Sequence, residues 1–133
     1  DENILLLAEN AYSQAREAMS VQAIHTALAV IFDVVAEANR YFAGQEPWAL
    51  RKNDFARMEN VLFVTAEVLR RVGLLIQPFI PDSAAKLLNA LAVPEDARAF
   101  SRLGKEFSLI PGTVLPTPSP VFPRYIEKTE DGA

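Results

Sequence analysis

Cysteine is absent from this chain and histidine nearly so, His25 being the only one. Disulfides and thiolate metal sites are therefore excluded, a metal site is not expected, and a reducing compartment is allowed. The five glycines stand apart from one another, so they cannot assemble a phosphate-cradling loop. No apolar run approaches the ~20 residues of a membrane-crossing helix, and no charged-then-apolar leader opens the sequence. A soluble protein that makes no membrane contact is the expectation. Neither charge sign dominates: 13 Lys plus Arg face 17 Asp plus Glu, for a net charge of −4. That balance argues against indiscriminate coating of nucleic acid and leaves room only for a local contact. What remains is 133 residues, half of them apolar, enough for one core and one domain. The chain opens at Asp1 instead of methionine, with helical periodicity under way by Leu5, so it reads as a segment of a longer polypeptide or a processed product.

Helical spacing fills the first hundred residues. The clearest stripe is Val21, Ile24, Leu28, Ile31, Val35, Ala38 and Phe42, three and four apart throughout, with Ser20 as N-cap and Gly44 as the end. A preceding helix over residues 2–19 puts Leu5, Ala8, Tyr12, Ala15 and Met19 on one face, and the very short join makes the two an antiparallel hairpin. A third helix, capped by Asp54 and running to Gln77 before Pro78, is apolar on several sides and belongs at the centre. Pro81 and Asp82 open a fourth through Leu91. Pro94, Glu95 and Asp96 repeat that signal for a short fifth helix from Ala97 to Leu103, stopped by Gly104. Five of the nine prolines then fall between Pro111 and Pro123, among Ile110, Val114, Leu115, Val121 and Phe122. This predicts an extended tail lying against the bundle, with short strand-like pieces, frayed from about Glu127. The fold class is thus all-α, an antiparallel bundle of about five helices over residues 1–104 with an extended proline-rich tail over 105–133.

No constellation suited to catalysis stands out. Glu95 and Asp96 directly follow Pro94, where helix-start acids are ordinary, and His25 falls on the wet face of its helix with no Ser, Asp or Cys pattern around it. No catalytic residue and no metal ligand is assigned. Trp48 poses a different question, because "ANRYFAGQEPWAL", residues 38–50, places the bulkiest apolar side chain straight after Pro47 at a helix end. Residues 40–57 also reverse the overall charge, with Arg40, Arg51, Lys52 and Arg57 against Glu46 and Asp54. Two readings stand open: a partly buried anchor closing the bundle end, or an exposed platform on which an unpaired base stacks while the cations meet phosphate. Arg40, Arg51 and Lys52 are accordingly either phosphate contacts or solvated helix-end charges. Asn39 and Tyr41 read as organisers of the turn.

The run Ala38-Asn39-Arg40-Tyr41, then Gln45-Glu46-Pro47-Trp48-Ala49-Leu50, then Lys52, resembles the anticodon-binding domain of methionyl-tRNA synthetases, a class I family. Thr65 to Arg70, the double-proline stretch Gln77-Pro78-Phe79-Ile80-Pro81, and Phe122-Pro123-Arg124-Tyr125-Ile126 carry the resemblance over essentially the whole chain. It implies an all-helical bundle that follows a Rossmann-type catalytic domain and grips the anticodon loop of tRNA(Met). The setting it implies is the cytoplasm, or an organellar matrix for a eukaryotic source. Trp48 matches the family's tryptophan that stacks on the first anticodon base, a cytosine. The family reads that base with an Asn-x-x-x-Arg pattern on its first bundle helix. The only such spacing here, Asn53 with Arg57, comes after the tryptophan, so the role is not carried over and the first helix is expected upstream of Asp1.

The ATP signature motifs, the methionine pocket and any zinc knuckle are expected in the catalytic portion, outside this chain, which by itself would be non-catalytic and hold no cofactor. The parent would use ATP to adenylate methionine and transfer it to tRNA. Two rivals remain: a protein-interaction bundle with Trp48 as interface anchor, and the same domain of a sister class I synthetase, since those families share the Pro-Trp and Pro-Phe-Pro elements.

Overall fold

The computed structural model describes residues 1–126, so the expectation of fraying from Glu127 lies outside the described residues. Five α-helices follow in order: α1 (Glu2–Ser20), α2 (Ile24–Gln45), α3 (Pro47–Asn53), α4 (Phe55–Ile76) and α5 (Pro81–Ala90). Three single-turn 3-10 helices come after them, and no strand occurs among the described residues. As its apolar breadth predicts, α4 is central and touches all four other helices. Asp54 caps it as expected, its Oδ1 accepting the Arg57 amide at 3.1 Å. Pro81 sits at the first position of α5 with Asp82 in the first turn.

The α1–α2 hairpin closes differently from its sequence expectation. Ser20 is the last residue of α1, not the cap of α2, and its hydroxyl donates back to the Glu17 carbonyl at 2.6 Å. Gln22 takes a left-handed φ of 60°, and the Gln22 and Ala23 amides bond the Met19 and Ala18 carbonyls at 3.1 and 2.8 Å. That is a Schellman turn built on a residue other than glycine, and it delays the start of α2 to Ile24. Val21 and Ile24 are therefore exposed. The faces that meet are also not the bulky stripes. α1 buries Ile4, Ala8, Ala11, Ala15 and Ala18, while Met19 is exposed, and α2 buries Ala27, Ile31, Val34 and Ala38. Periodicity picks out the largest apolar side chains, whereas a close helix pair places its smallest ones at the seam.

At the other end of α2, Gly44 is still helical and a Cβ there would meet nothing, so glycine is not what stops the helix. Termination falls to Glu46, left-handed at φ 48° and followed by Pro47, which opens α3, a helix absent from the sequence reading. Gly73 has a stricter role. A Cβ on it would come 2.9 Å from Leu88 Cδ2, so the glycine lets α5 lie close on α4.

The expected fifth helix from Ala97 to Leu103 does not form. The chain makes 3-10 turns at Glu95–Ala97 and Phe100–Arg102, separated by an extended Ala99. Side chains from elsewhere take the backbone oxygens: Gln77 Nε2 donates to the Arg98 carbonyl at 2.8 Å, and Arg70 reaches the carbonyls of Arg102, Leu103 and Gly104. The tail packs on the core as far as Leu109; from Ile110 to Pro120 every residue is exposed, and Val121 is again half-buried.

Arg70 belongs to a triad with Glu67 and Arg71, all three almost fully buried on α4. Glu67 accepts from Arg70 Nη2 at 2.6 Å, Arg71 Nε at 3.1 Å and the Leu109 amide at 2.9 Å. Arg71 Nη1 donates to the Leu5 carbonyl of α1 at 2.8 Å. Burial alone would raise the Glu67 carboxyl, but the hydrogen bonds from Arg70, Leu109 and Arg71, with the Arg70 charge, outweigh it and hold the carboxyl below its ordinary 4.5.

Removing the carboxylate leaves two buried guanidinium groups uncompensated, so Glu67→Ala is expected to cost about 3–5 kcal/mol in urea unfolding. Folding lowers this pKa, so the stabilisation is complete above about 4.5 and is lost as pH falls through the folded value. The stability gap between wild type and Glu67→Gln should accordingly narrow below pH 4.5; a gap constant down to strong acid contradicts the assignment.

Candidate nucleic-acid interface

Trp48 occupies the first turn of α3, directly after the buried Pro47, and its side chain is 58% exposed. Its indole is braced on one side by Phe42 of α2, with ring centroids 6.0 Å apart and planes tilted by 58°. An aromatic ring braced by one neighbouring ring and more than half exposed is neither a core residue nor a free side chain. Arg51 and Lys52 follow at i+3 and i+4 on the same helix, which puts both cations on the face that carries Trp48. Both are exposed and enter no ion pair among the described residues. They also sit in the last turn of α3, where positive charge complements the helix dipole.

Arg40 is not brought into this group. It pairs with Glu37 on α2, and it stands two positions before Phe42, which turns it to nearly the opposite side of the helix. Asn39 is exposed on the same helix, and His25 is exposed near its start. Asn53 ends α3, while Arg57 is committed elsewhere.

The residues that fix the turn were only partly legible. Arg57 makes a bidentate contact with Asp1, at 2.5 Å to Oδ2 and 2.8 Å to Oδ1, and its Nη2 also donates to Gln45 Oε1 at 2.9 Å. Tyr41 donates its hydroxyl to Asp1 Oδ1 at 2.6 Å, and Asn60 Nδ2 donates to Oδ2 at 3.2 Å. Partial burial raises the Tyr41 hydroxyl above its ordinary 10.0, against the opposing pull of the Arg57 charge and hydrogen bond. Tyr41 therefore organises this end of the bundle, as its position at the helix end suggested. Asp1, Gln45 and Asn60 carry no sequence signal for such a cluster, because their pairing spans up to 59 positions.

Two clefts lie away from Trp48. One of about 370 Å³ is lined by Tyr12, Met19, Leu75, Phe79 and Phe100. A larger one of about 620 Å³ opens between Leu62, Phe63 and Ala66 of α4 and residues 106–113. Among the described residues no three His, Asp or Glu side chains converge as a metal site requires, and no helix is long and apolar enough to cross a membrane.

A family model described as the anticodon binding domain of methionyl tRNA ligase matches residues 4–132. The chain is 63% identical over 130 residues to a methionine–tRNA ligase of Brucella suis, covering 98% of this chain and 25% of that protein. Against a methionine–tRNA ligase of Mycobacterium leprae the identity is 43% over 137 residues, 100% of this chain and 25% of that one. The crystal structure of the apo form of Mycobacterium tuberculosis methionyl-tRNA synthetase superposes with a TM-score of 0.89 at 41% identity, over 96% of this chain and 26% of that chain. The chain thus spans about a quarter of the length of these relatives.

Since more than half of the indole faces solvent, Trp48→Ala should lower the melting temperature by about 5 °C or less. A much larger drop in a thermal melt would mark Trp48 as a structural anchor.

Proposed function

The chain belongs to the family of methionyl-tRNA ligase anticodon-binding domains, and we propose that it presents Trp48 to an unpaired base in the anticodon loop of tRNA(Met). The observation that carries the proposal is the joint placement of an exposed indole braced by Phe42 with Arg51 and Lys52 on one face of α3. Base and indole planes can stack while the two cations meet the flanking phosphates, which is how single-stranded loops are held. A buffered contact of this kind suits a protein with a net charge of −4, because the positive field is local to one helix. Arg40, paired with Glu37 on α2, is left out of this contact.

The domain acts, on this reading, as the C-terminal part of a longer methionine–tRNA ligase working in the cytoplasm or an organellar matrix. ATP and methionine, and a zinc ion where the parent carries one, are bound by the catalytic portion. That part activates the amino acid, and this one contributes tRNA selection.

In the full-length parent, Trp48→Ala should raise KM for tRNA(Met) by roughly 5- to 150-fold, the loss of one base stack. Methionine-dependent ATP–pyrophosphate exchange should stay at the wild-type rate. Unchanged charging kinetics would instead favour Trp48 as a protein-interface anchor. Replacing Arg51 and Lys52 together by alanine should flatten the salt dependence of tRNA binding, reducing the log–log slope by about 1.4 for two lost phosphate contacts.

A further inference from the structure

We propose that Arg57 is a positioning residue for the tRNA contact, acting through the turn that carries Trp48 and not through the RNA. The inference rests on the reading of Trp48 given above.

Arg57 brackets α3 from both ends. Its backbone amide bonds Asp54 Oδ1 at 3.1 Å, where α3 gives way to α4, and its guanidinium bonds Gln45 Oε1 at 2.9 Å, where α2 gives way to α3. Between those points lies Glu46 at φ 48°, ψ 59°. A left-handed residue other than glycine persists only where its surroundings over-determine it. Here the Gln45–Arg57 bond precedes it and the buried Pro47 follows it. Trp48 is two residues from this pivot, so any change at Glu46 swings α3 and the indole together.

The guanidinium is itself clamped. Asp1 stands at the N-cap of α1, where an aspartate ordinarily accepts from the first-turn amides of its own helix, yet it makes no such bond. Its carboxylate is given to Arg57, Tyr41 and Asn60 on two other helices. Asp1 and Gln45 together engage both terminal nitrogens of Arg57. Lysine carries the same charge but lacks the planar fork needed to serve Asp1 and Gln45 at once.

The test uses the full-length parent with Arg57→Lys, Trp48→Ala and the double variant. Arg57→Lys should raise KM for tRNA(Met) by about threefold to tenfold, with kcat and methionine-dependent ATP–pyrophosphate exchange unchanged. In the Trp48→Ala background the same change should have no further effect, because the residue acts only through the indole. Additive effects, or an Arg57→Lys enzyme that charges normally while Trp48→Ala is impaired, would overturn the positioning role alone. Normal charging by Trp48→Ala would overturn the reading beneath it. Gln45→Met offers a milder route that removes only the turn's bond to Arg57. Trp48 is the only tryptophan in this chain, so its fluorescence anisotropy decay in the 133-residue protein reports the turn directly. A faster local decay in Gln45→Met is expected, and an unchanged decay refutes the clamp.

Discussion

A carboxylate and two guanidinium groups buried on one helix determine most of what surrounds them. Taking Glu67, Arg70 and Arg71 out of water is costly, several kcal/mol for each ion, unless nearly every hydrogen-bonding position finds a partner. The bundle meets that demand: among the described residues no buried side-chain nitrogen or oxygen is left unpaired. The partners come from far along the chain. Leu5 supplies a carbonyl from α1, residues 102–104 supply carbonyls from the return segment, and Leu109 supplies an amide. An irregular stretch with no α-helix of its own, only single 3-10 turns, is therefore held by charge-assisted bonds to α4. Apolar packing alone would leave its path much less defined.

The end of the bundle that carries Trp48 is organised by a second polar cluster with different properties. Asp1, Tyr41, Gln45, Arg57 and Asn60 lie at the surface or half-buried, so their bonds are weaker individually and serve geometry more than stability. They converge where α1 begins, α2 ends and α4 begins. The alanine seam between α1 and α2 and the central position of α4 keep those three helix ends together. A rigid interior thus delivers three termini to one place, and the polar cluster converts their proximity into a fixed turn. The indole can then stand in solvent without being disordered by it.

Much of this site was legible in the sequence, for identifiable reasons. Pro47 followed by Trp48, with Arg51 and Lys52 close behind, marks a basic aromatic surface at a helix end from local chemistry alone, although the short helix α3 that carries these residues was not expected. Asp54 as a cap and Pro81 as a first-turn residue were legible in the same way, since each acts within a single turn. Arg40 stands apart from Arg51 and Lys52 because charge and proximity in sequence say nothing of direction around a helix. Ser20 misleads because a backbone Schellman turn at Gln22 overrides a side-chain cap. Glu67, Arg70 and Arg71 carry no sequence signal of burial, because their partners lie on three distant segments, and the expected helix from Ala97 to Leu103 loses to that same network.

Local sequence determined the helical class, the central α4 and the presence of an aromatic ring where α2 ends, because capping, proline placement and apolar periodicity act within a few residues. Tertiary structure decided which faces meet, where the chain returns after α5 and which arginine holds the turn. Those outcomes depend on pairings across tens of residues, such as Arg71 with Leu5 and Arg57 with Asp1, and a buried charge can be satisfied only by groups that the whole fold assembles around it.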